Sequence, residues 1–120
     1  MKQQIAALGL LAALSASAVH AGTERRCGWI SNPTPANWWL NDREAEWIIS
    51  EQGGYQAKGV DLPDFTGKQW VITNAGDHGY GCACLTATFD HRTKHVLRIA
   101  AVKQLPLRQC KADKGLKPVE

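Results

Sequence analysis

The sequence has no apolar run long enough to cross a membrane. Its longest, Ile5 to Leu14, has about ten residues, whereas a transmembrane helix needs roughly twenty. The run follows a basic start at Lys2, and the small residues after it end in Val19-His20-Ala21. These features are typical of a secretory signal peptide cleaved after Ala21. We therefore expect residues 1–21 to be a signal peptide and the protein to be exported, periplasmic or secreted.

The sequence also lacks the common hydrolase signatures. It contains neither the Gly-x-Ser-x-Gly motif of α/β-hydrolases nor the His-Glu-x-x-His motif of zinc peptidases. No cysteine lies near residue 21, so the acylated residue of a lipoprotein is missing, and there are no internal repeats. Cleavage of 21 residues from 120 leaves 99, which predicts one domain over residues 22–120. No later apolar run is long enough for a transmembrane segment.

Four cysteines are present, and all of them lie in the expected mature part: Cys27, Cys82, Cys84 and Cys110. A small domain buries too little surface for a large core, and an even number of cysteines in such an exported chain predicts two disulfides. Residues i and i+2 of a strand lie close to 7 Å apart, the limit for a disulfide. We therefore expect Cys82 and Cys84 to bond separately to Cys27 and Cys110, in either combination.

Charge is distributed unevenly along the sequence. Residues 22–90 contain five basic and nine acidic residues, whereas residues 91–120 contain eight basic and two acidic residues. A basic C-terminal stretch suits either an anionic partner or an ordinary solvated face.

Short strand patterns separated by turn signals dominate the mature sequence. We expect a strand at 27–30, a proline-rich loop at 31–37, and a hairpin formed by 38–40 and 46–49. Further strands are expected at 69–73, 82–89 and 95–102, with a glycine-rich loop at 74–81. A helix over 97–105 is the alternative for the last segment, but its β-branched residues favour a strand. The pattern predicts a mostly β fold, a small antiparallel barrel or sandwich, and an OB-like barrel fits this length.

Several segments together carry a family resemblance. They include Cys27-Gly28-Trp29, Asn32-Pro33-Thr34-Pro35, Glu46-Trp47-Ile48, Gln69-Trp70-Val71 and Gly79-Tyr80-Gly81-Cys82-Ala83-Cys84-Leu85. The chain resembles a family of small exported bacterial proteins, domain of unknown function 4087. The resemblance implies a single exported domain. Because the family has no assigned activity, the resemblance assigns no catalytic residues to this chain.

Five tryptophans are many for such a short chain, and Trp38 and Trp39 are adjacent. Neighbouring residues of a strand point to opposite faces, so at most one of the two fills the core there. With Asn37 and Asp42 nearby, they offer an apolar plate with polar groups at its edge, as in sugar-stacking or partner-docking surfaces. The competing interpretation is that all five tryptophans supply core volume.

Metal and redox chemistry are weaker hypotheses. His91 and His95 are spaced as His-x3-His, and His78 lies near Cys82, but exported cysteines are normally oxidised and the two histidines bracket a turn. Redox pairs are usually Cys-x-x-Cys at a helix N-terminus. We expect no metal and no cofactor.

Hydrolytic chemistry is the alternative to binding. Asp42, Glu44 and Glu46 form an alternating acidic row, and Asp77 precedes His78. Either group could supply the general acid and base of a small hydrolase that acts on cell-wall material. A charged hairpin edge that prevents aggregation explains the row equally well.

The sequence therefore favours a non-enzymatic binding protein of the cell envelope. Its expected partner is a protein, such as a cell-wall hydrolase, or an envelope glycan, bound through Trp38, Trp39, Asn37 and Asp42. Nucleic acid is not an expected partner, because an exported protein rarely meets it. A structural or stress-related envelope protein without a defined ligand is a further alternative.

Overall fold

The computed structural model describes residues 22–65, 67–74 and 76–119, so the expected signal peptide lies outside the described residues. Seven strands and one short helix are found in this part of the chain. They are β1 Thr23–Thr34, β2 Asn37–Asn41, β3 Glu46–Ser50, β4 Lys58–Gly59, β5 Trp70–Ile72, β6 Gly79–Asp90, β7 His95–Leu105 and α1 Leu107–Lys111.

Five of the strands close into a ring. β1, β2 and β3 form an antiparallel meander, β3 pairs with β7, β7 pairs with β6, and β6 returns to β1. The expected hairpin is therefore confirmed as β2 and β3. The closed ring of strands confirms the mostly β barrel expected from the sequence. The sheet is mixed, because β7 runs parallel to both β3 and β4.

Alternation along β6 separates the barrel interior from a second apolar cluster outside it. Ala83, Leu85 and Phe89 belong to the main core, whereas Cys82 and Cys84 belong to the outer cluster. The outer cluster also contains Trp29, Tyr80, Leu105, Leu107, Cys110, Leu116 and Val119. The C-terminal segment thus packs on the outside of the barrel.

Both expected disulfides are formed, one each from Cys82 and Cys84. Cys27 bonds to Cys84, its direct neighbour in the β1–β6 pair. Cys82 bonds to Cys110 and thereby ties α1 to β6. The sequence left the pairing open, and the structure resolves it.

The expected loop at 31–37 is mostly strand, so that prediction was wrong. Ser31 and Asn32 pair with β6, and Thr34 pairs with β2. Pro33 lies where the β1–β2 register shifts between Ser31 and Thr34. A proline is tolerated at such an irregularity, because no N–H is needed there for the ladder.

The expected glycine-rich loop at 74–81 ends earlier than predicted, because Gly79 and Gly81 belong to β6. A Cβ atom at Gly79 would lie 1.8 Å from the Val71 carbonyl oxygen, and one at Gly81 would lie 2.8 Å from the Trp70 ring. These glycines therefore permit close approach of β5 rather than a turn.

The C-terminal region also differs from the helical alternative. β7 continues to Leu105, and the helix begins only after Pro106, whose extended conformation precedes the first helical residue. The backbone N–H of Leu107 donates to the Gln69 side-chain oxygen at 2.7 Å. This bond fastens the start of α1 to the connection before β5.

Candidate functional site

One end of the barrel holds a small cavity beside Trp38. The end of β1 and the start of β6 meet there, because the two strands are antiparallel. The connection before β5 and the loop after it complete the wall. The cavity has a volume of about 190 Å³ and is lined by Asn32, Trp38, Pro63, Asp64, Phe65, Trp70, Asp77 and His78. We call this the Trp38 cavity.

Three aromatic rings form the floor of the Trp38 cavity. Phe65 and Trp70 are buried and stacked, with ring centroids 5.4 Å apart and planes within 14°. The Trp38 ring lies 5.7 Å from Phe65 and 6.1 Å from Trp70. Trp38 is only half-buried, and it packs against the main core.

A hydrogen bond between Asn32 and His78 sets the polar side of the cavity. The Asn32 amide is buried, and its Nδ2 donates to the carbonyl oxygens of Thr34 at 2.6 Å and Asn37 at 2.8 Å. The Asn32 Oδ1 atom therefore faces His78 Nδ1 at 2.8 Å and accepts its proton. In the neutral imidazole this leaves Nε2 as an acceptor.

The loop that carries Asp77 and His78 is held by backbone bonds. The Trp70 indole N–H donates to the Asp77 carbonyl oxygen at 2.8 Å, and the Thr73 N–H donates to the His78 carbonyl oxygen at 2.9 Å. Trp70 therefore forms part of the floor of the Trp38 cavity and also anchors the loop that carries Asp77 and His78.

The lining of the Trp38 cavity combines apolar ring surface with hydrogen-bond acceptors. Asp64, Asp77 and His78 are the titratable residues among those that line it. Neither lysine nor arginine is among the described lining residues. Such a surface suits an uncharged, hydroxyl-rich ligand, whose C–H face packs on an aromatic ring while its hydroxyls donate to acceptors.

The four residues proposed as a binding surface do not lie together. Trp38 lines the cavity, whereas Trp39 points to the other side of β2 and lines an outer cavity with Lys117, Pro118 and Val119. The Asn37 side chain is occupied by bonds to Thr34 and to the Gln52 N–H. These two bonds give Asn37 a structural role at the start of β2.

Asp42 lies at the opposite end of the barrel, where it bonds to Arg26. The Arg26 Nη1 atom lies 2.7 Å from an Asp42 carboxylate oxygen, and its guanidinium lies 4.5 Å from the centre of the Trp47 ring. The Arg26 and Asp42 side chains are 11% and 7% exposed. We call Arg26, Asp42, Glu24 and Glu44 the Arg26 cluster.

Arg26 holds the cluster's other two carboxylates as well. Its Nη2 atom lies 2.8 Å from Glu24, and its Nη1 atom lies 3.3 Å from Glu44. Glu24 also bonds to His91 at 2.7 Å.

Two carboxylates of the Arg26 cluster, those of Asp42 and Glu24, are held in their ionised form. Burial raises the pKa of Asp42, but hydrogen bonds from Arg26 and from the backbone N–H groups of Ala45 and Glu44 outweigh it and lower the pKa overall. Burial likewise raises the pKa of Glu24, and bonds from His91 and Arg26 reverse this effect. A carboxylate so held is a poor general acid or base near neutral pH.

The histidines considered as metal ligands have other partners. His91 bonds to Glu24, and the His95 ring stacks on Tyr55 with centroids 4.1 Å apart. In the part of the chain that the structure describes, no group of three or more histidine, cysteine or acidic side chains is arranged to hold a metal ion.

Several residues of the Trp38 cavity were not singled out from the sequence as site residues. Asp64, Phe65 and Trp70 lie far from Trp38 in sequence, and the folded chain brings them together with Asn32 at the cavity. Asp77 and His78 were considered as a hydrolytic pair. The sequence feature that could have pointed to them is the pair of flanking glycines, Gly76 and Gly79, which border a short, tight loop.

A family model matches residues 21–117, and it describes a protein of unknown function, DUF4087. The chain belongs to this family. The resemblance inferred from the sequence is thus confirmed. No curated protein and no solved structure matches the chain.

The DUF4087 domain carries its two disulfides within the matched region. Disulfides of this kind are typical of an oxidising compartment outside the cytoplasm. Among the described residues, none of the helices has the length and apolar character needed to span a membrane.

Proposed function

We propose that this DUF4087 domain is an exported binding protein that holds a sugar unit of an envelope glycan in the Trp38 cavity without transforming it. The observation that carries the proposal is the half-buried Trp38, which lines the cavity together with Asp64, Asp77 and His78. A signal-peptide pattern over residues 1–21 and two disulfides support export.

The size of the cavity supports one sugar ring rather than a longer segment. Its volume of about 190 Å³ is below the roughly 300–1,000 Å³ of pockets that enclose drug-sized ligands. A glycan chain would therefore place a single unit or chain end against Trp38 and leave its neighbours in solvent.

Binding is tested by titrating the purified, disulfide-bonded protein with soluble muropeptides and chitooligosaccharides while following tryptophan fluorescence and heat. The informative variant is Asp64→Asn combined with Asp77→Asn. This double substitution removes two negative charges and leaves the side-chain volumes nearly unchanged. We expect this variant to bind at least about tenfold more weakly, since charged hydrogen bonds contribute about 1.5–3 kcal/mol each.

Trp38→Ala and Trp39→Phe complete the design. Trp38→Ala should abolish binding, and circular dichroism must show that the variant still folds. Trp39→Phe is the matched control, because Trp39 lies on the other side of β2 and should leave binding unchanged. Equal loss of binding in the Trp38 and Trp39 variants, or unaltered sedimentation of both with intact peptidoglycan, would rule out the cavity.

A small hydrolase is the second candidate function, and one observation favours it. The bond to Asn32 fixes the His78 proton on Nδ1 and leaves Nε2 as a potential base in a cavity that also holds Asp64 and Asp77. Release of reducing ends or of peptide products from cell-wall fragments, lost on His78→Asn, would establish this activity. Binding without product supports the non-enzymatic proposal.

A further inference from the structure

The four cysteines differ in how far solvent reaches them. Cys82, Cys84 and Cys110 are buried, with 1%, 3% and 4% of their surface exposed, whereas Cys27 is only half-buried. A disulfide is opened by a thiolate that attacks one of its sulfur atoms, so access decides which bridge reacts. Both cysteines of the Cys82–Cys110 bridge are buried, and the Cys27–Cys84 bridge is therefore the one that an external thiol reaches.

Cys27 lies in a surface depression at the end of the barrel opposite the Trp38 cavity. The depression has a volume of about 290 Å³ and is lined by Glu24, Arg25, Arg26, Cys27, Asp42, Arg43 and Glu44. Arg26 is bonded to all three carboxylates of this lining, so their charges are offset. The depression therefore gives a thiol a path to Cys27 that is not guarded by unpaired negative charge.

The Cys27–Cys84 bridge joins two residues that are direct neighbours across an antiparallel strand pair. Such neighbours usually have Cβ atoms about 4.5–5.5 Å apart, whereas the Cβ atoms of a disulfide lie about 3.8 Å apart. The bridge thus holds β1 and β6 closer than strand pairing alone would, and a bridge under such a constraint is more readily reduced. Cys110 lies on α1, so no strand ladder fixes its distance from Cys82.

Two cations flank the Cys27–Cys84 bridge on the outer side of the barrel. Arg25 precedes Cys27 by two residues in β1, and Lys103 of β7 lies directly opposite Cys84. Residues two apart in a strand share a face, as do directly opposite residues of paired strands. Both cations are exposed, and neither has an ion-pair partner within 4.0 Å among the described residues. They attract an incoming thiolate and stabilise the thiolates that form when the bridge opens.

Opening this bridge leaves the surrounding strand ladder in place. β1 pairs with β6 at every position from Thr23 to Asn32, so the register of the two strands does not depend on the disulfide. The Cys82–Cys110 bridge continues to hold α1 on β6. Reduction at Cys27–Cys84 is therefore a local change that reoxidation reverses.

We infer that the Cys27–Cys84 bridge is a thiol-exchange site, at which a dithiol reductant acts on Cys27. A thiolate of the dithiol attacks the Cys27 sulfur, the disulfide bond breaks, and the Cys84 sulfur leaves as a thiolate that takes up a proton. The second thiol of the reductant loses its proton and attacks the reductant's own sulfur in the mixed disulfide, which releases Cys27. The reductant ends as a disulfide, and the protein gains two electrons and two protons as two thiols.

The test is stepwise reduction of the purified, disulfide-bonded protein with dithiothreitol, a small dithiol. Samples are quenched over time, their free thiols are alkylated, and the labelled cysteines are identified by peptide mass spectrometry. We expect Cys27 and Cys84 to be labelled at least about tenfold faster than Cys82 and Cys110, with an unchanged circular dichroism spectrum at that stage. Equal rates for the two bridges, faster labelling of Cys82 and Cys110, or loss of the fold with the first bridge would overturn the inference.

Reduced glutathione, which has a single thiol, identifies the sulfur that is attacked. Its mixed disulfide should accumulate on Cys27, because the partner cysteine is buried. Accumulation of the adduct on Cys84 would contradict Cys27 as the point of attack.

Arg25→Gln combined with Lys103→Gln tests the flanking cations and should slow the labelling of Cys27 and Cys84 about three- to tenfold. The matched control is Lys58→Gln combined with Arg98→Gln. It removes two exposed cations that pair with each other across β4 and β7, away from the bridge, and should change the rate less than about twofold. Equal slowing by the two variants would show that net charge, rather than the position of Arg25 and Lys103, governs the exchange.

Discussion

Arg26 Nη1 and Asp42 Oδ2 lie 2.7 Å apart and close the end of the barrel opposite the Trp38 cavity. The guanidinium packs on Trp47 and lies 5.4 Å from the centre of the Phe89 ring, so it is both a charge and a cover for the core. A charge in this position is stable only because its carboxylate partners are close.

Arg26→Met should therefore destabilise the protein by about 3–5 kcal/mol, because it leaves the buried Asp42 carboxylate without its cation. Urea unfolding followed by fluorescence measures this loss. Arg43→Met is the control, since the Arg43–Asp113 pair has an exposed arginine and should contribute little. An Arg26 variant as stable as the Arg43 variant would contradict the structural role of the pair.

Stability should fall in acid because of the same cluster. Asp42 and Glu24 have pKa values lowered in the folded state, so the unfolded chain takes up protons first as the pH decreases. The free energy of unfolding should be constant above the ordinary carboxyl pKa of about 4 and decrease as the pH falls below it. Denaturant titrations at a series of pH values from 7 downward measure this dependence. The free energy of unfolding should decrease less steeply in Asp42→Asn than in the wild type. The same slope in both proteins would show that Asp42 does not contribute to the loss of stability in acid.

Reduction should weaken the fold through both bridges. The loops closed by Cys27–Cys84 and Cys82–Cys110 span 57 and 28 residues, which corresponds to about 4 and about 3.5 kcal/mol in the chain-entropy model. We expect dithiothreitol to release four thiols and to lower the melting temperature. The double alanine variants of each pair should both melt below the wild type; four titratable thiols before reduction would contradict the disulfides.

Gly28→Ala should be poorly tolerated although it adds one methyl group. A Cβ atom at Gly28 would lie 2.0 Å from the Asn41 carbonyl oxygen, so β1 and β2 would have to separate. We expect a cost of about 1–3 kcal/mol or more. Gly54→Ala is the matched control, because its nearest heavy atoms are 4.0 Å away, and similar urea midpoints for the two variants would contradict the close approach.

Local patterns were sufficient to predict the hairpin of β2 and β3 and the two-disulfide framework. They were insufficient at Pro33, because tolerance of a proline depends on the neighbouring strand's register rather than on the residue itself. The helix α1 was missed because five residues carry almost no periodic signal. The parallel contact between β3 and β7 joins segments that are distant in sequence, and no local pattern encodes it.

The candidate site could be predicted only in part, because it also depends on contacts between residues distant in sequence. Trp38 and Trp39 were expected to face opposite sides, and they do. Asn37 and Asp42 were grouped with them by sequence proximity, but β2 separates the two residues along its full length. The bond between Asn32 and His78 spans 46 positions, so only the folded barrel could reveal it.

The closure of the ring at β3 and β7 has a consequence for local opening. The register there consists of Ile48 opposite His95, reinforced by the Ile48 N–H bond to the Lys94 carbonyl oxygen at 2.8 Å. Both disulfides lie elsewhere and join β1, β6 and α1. Opening of this short contact would leave β3 paired with β2 while β1 and β6 stay cross-linked, so we expect the amides of β3 to exchange with solvent deuterium sooner than those of β1 and β6.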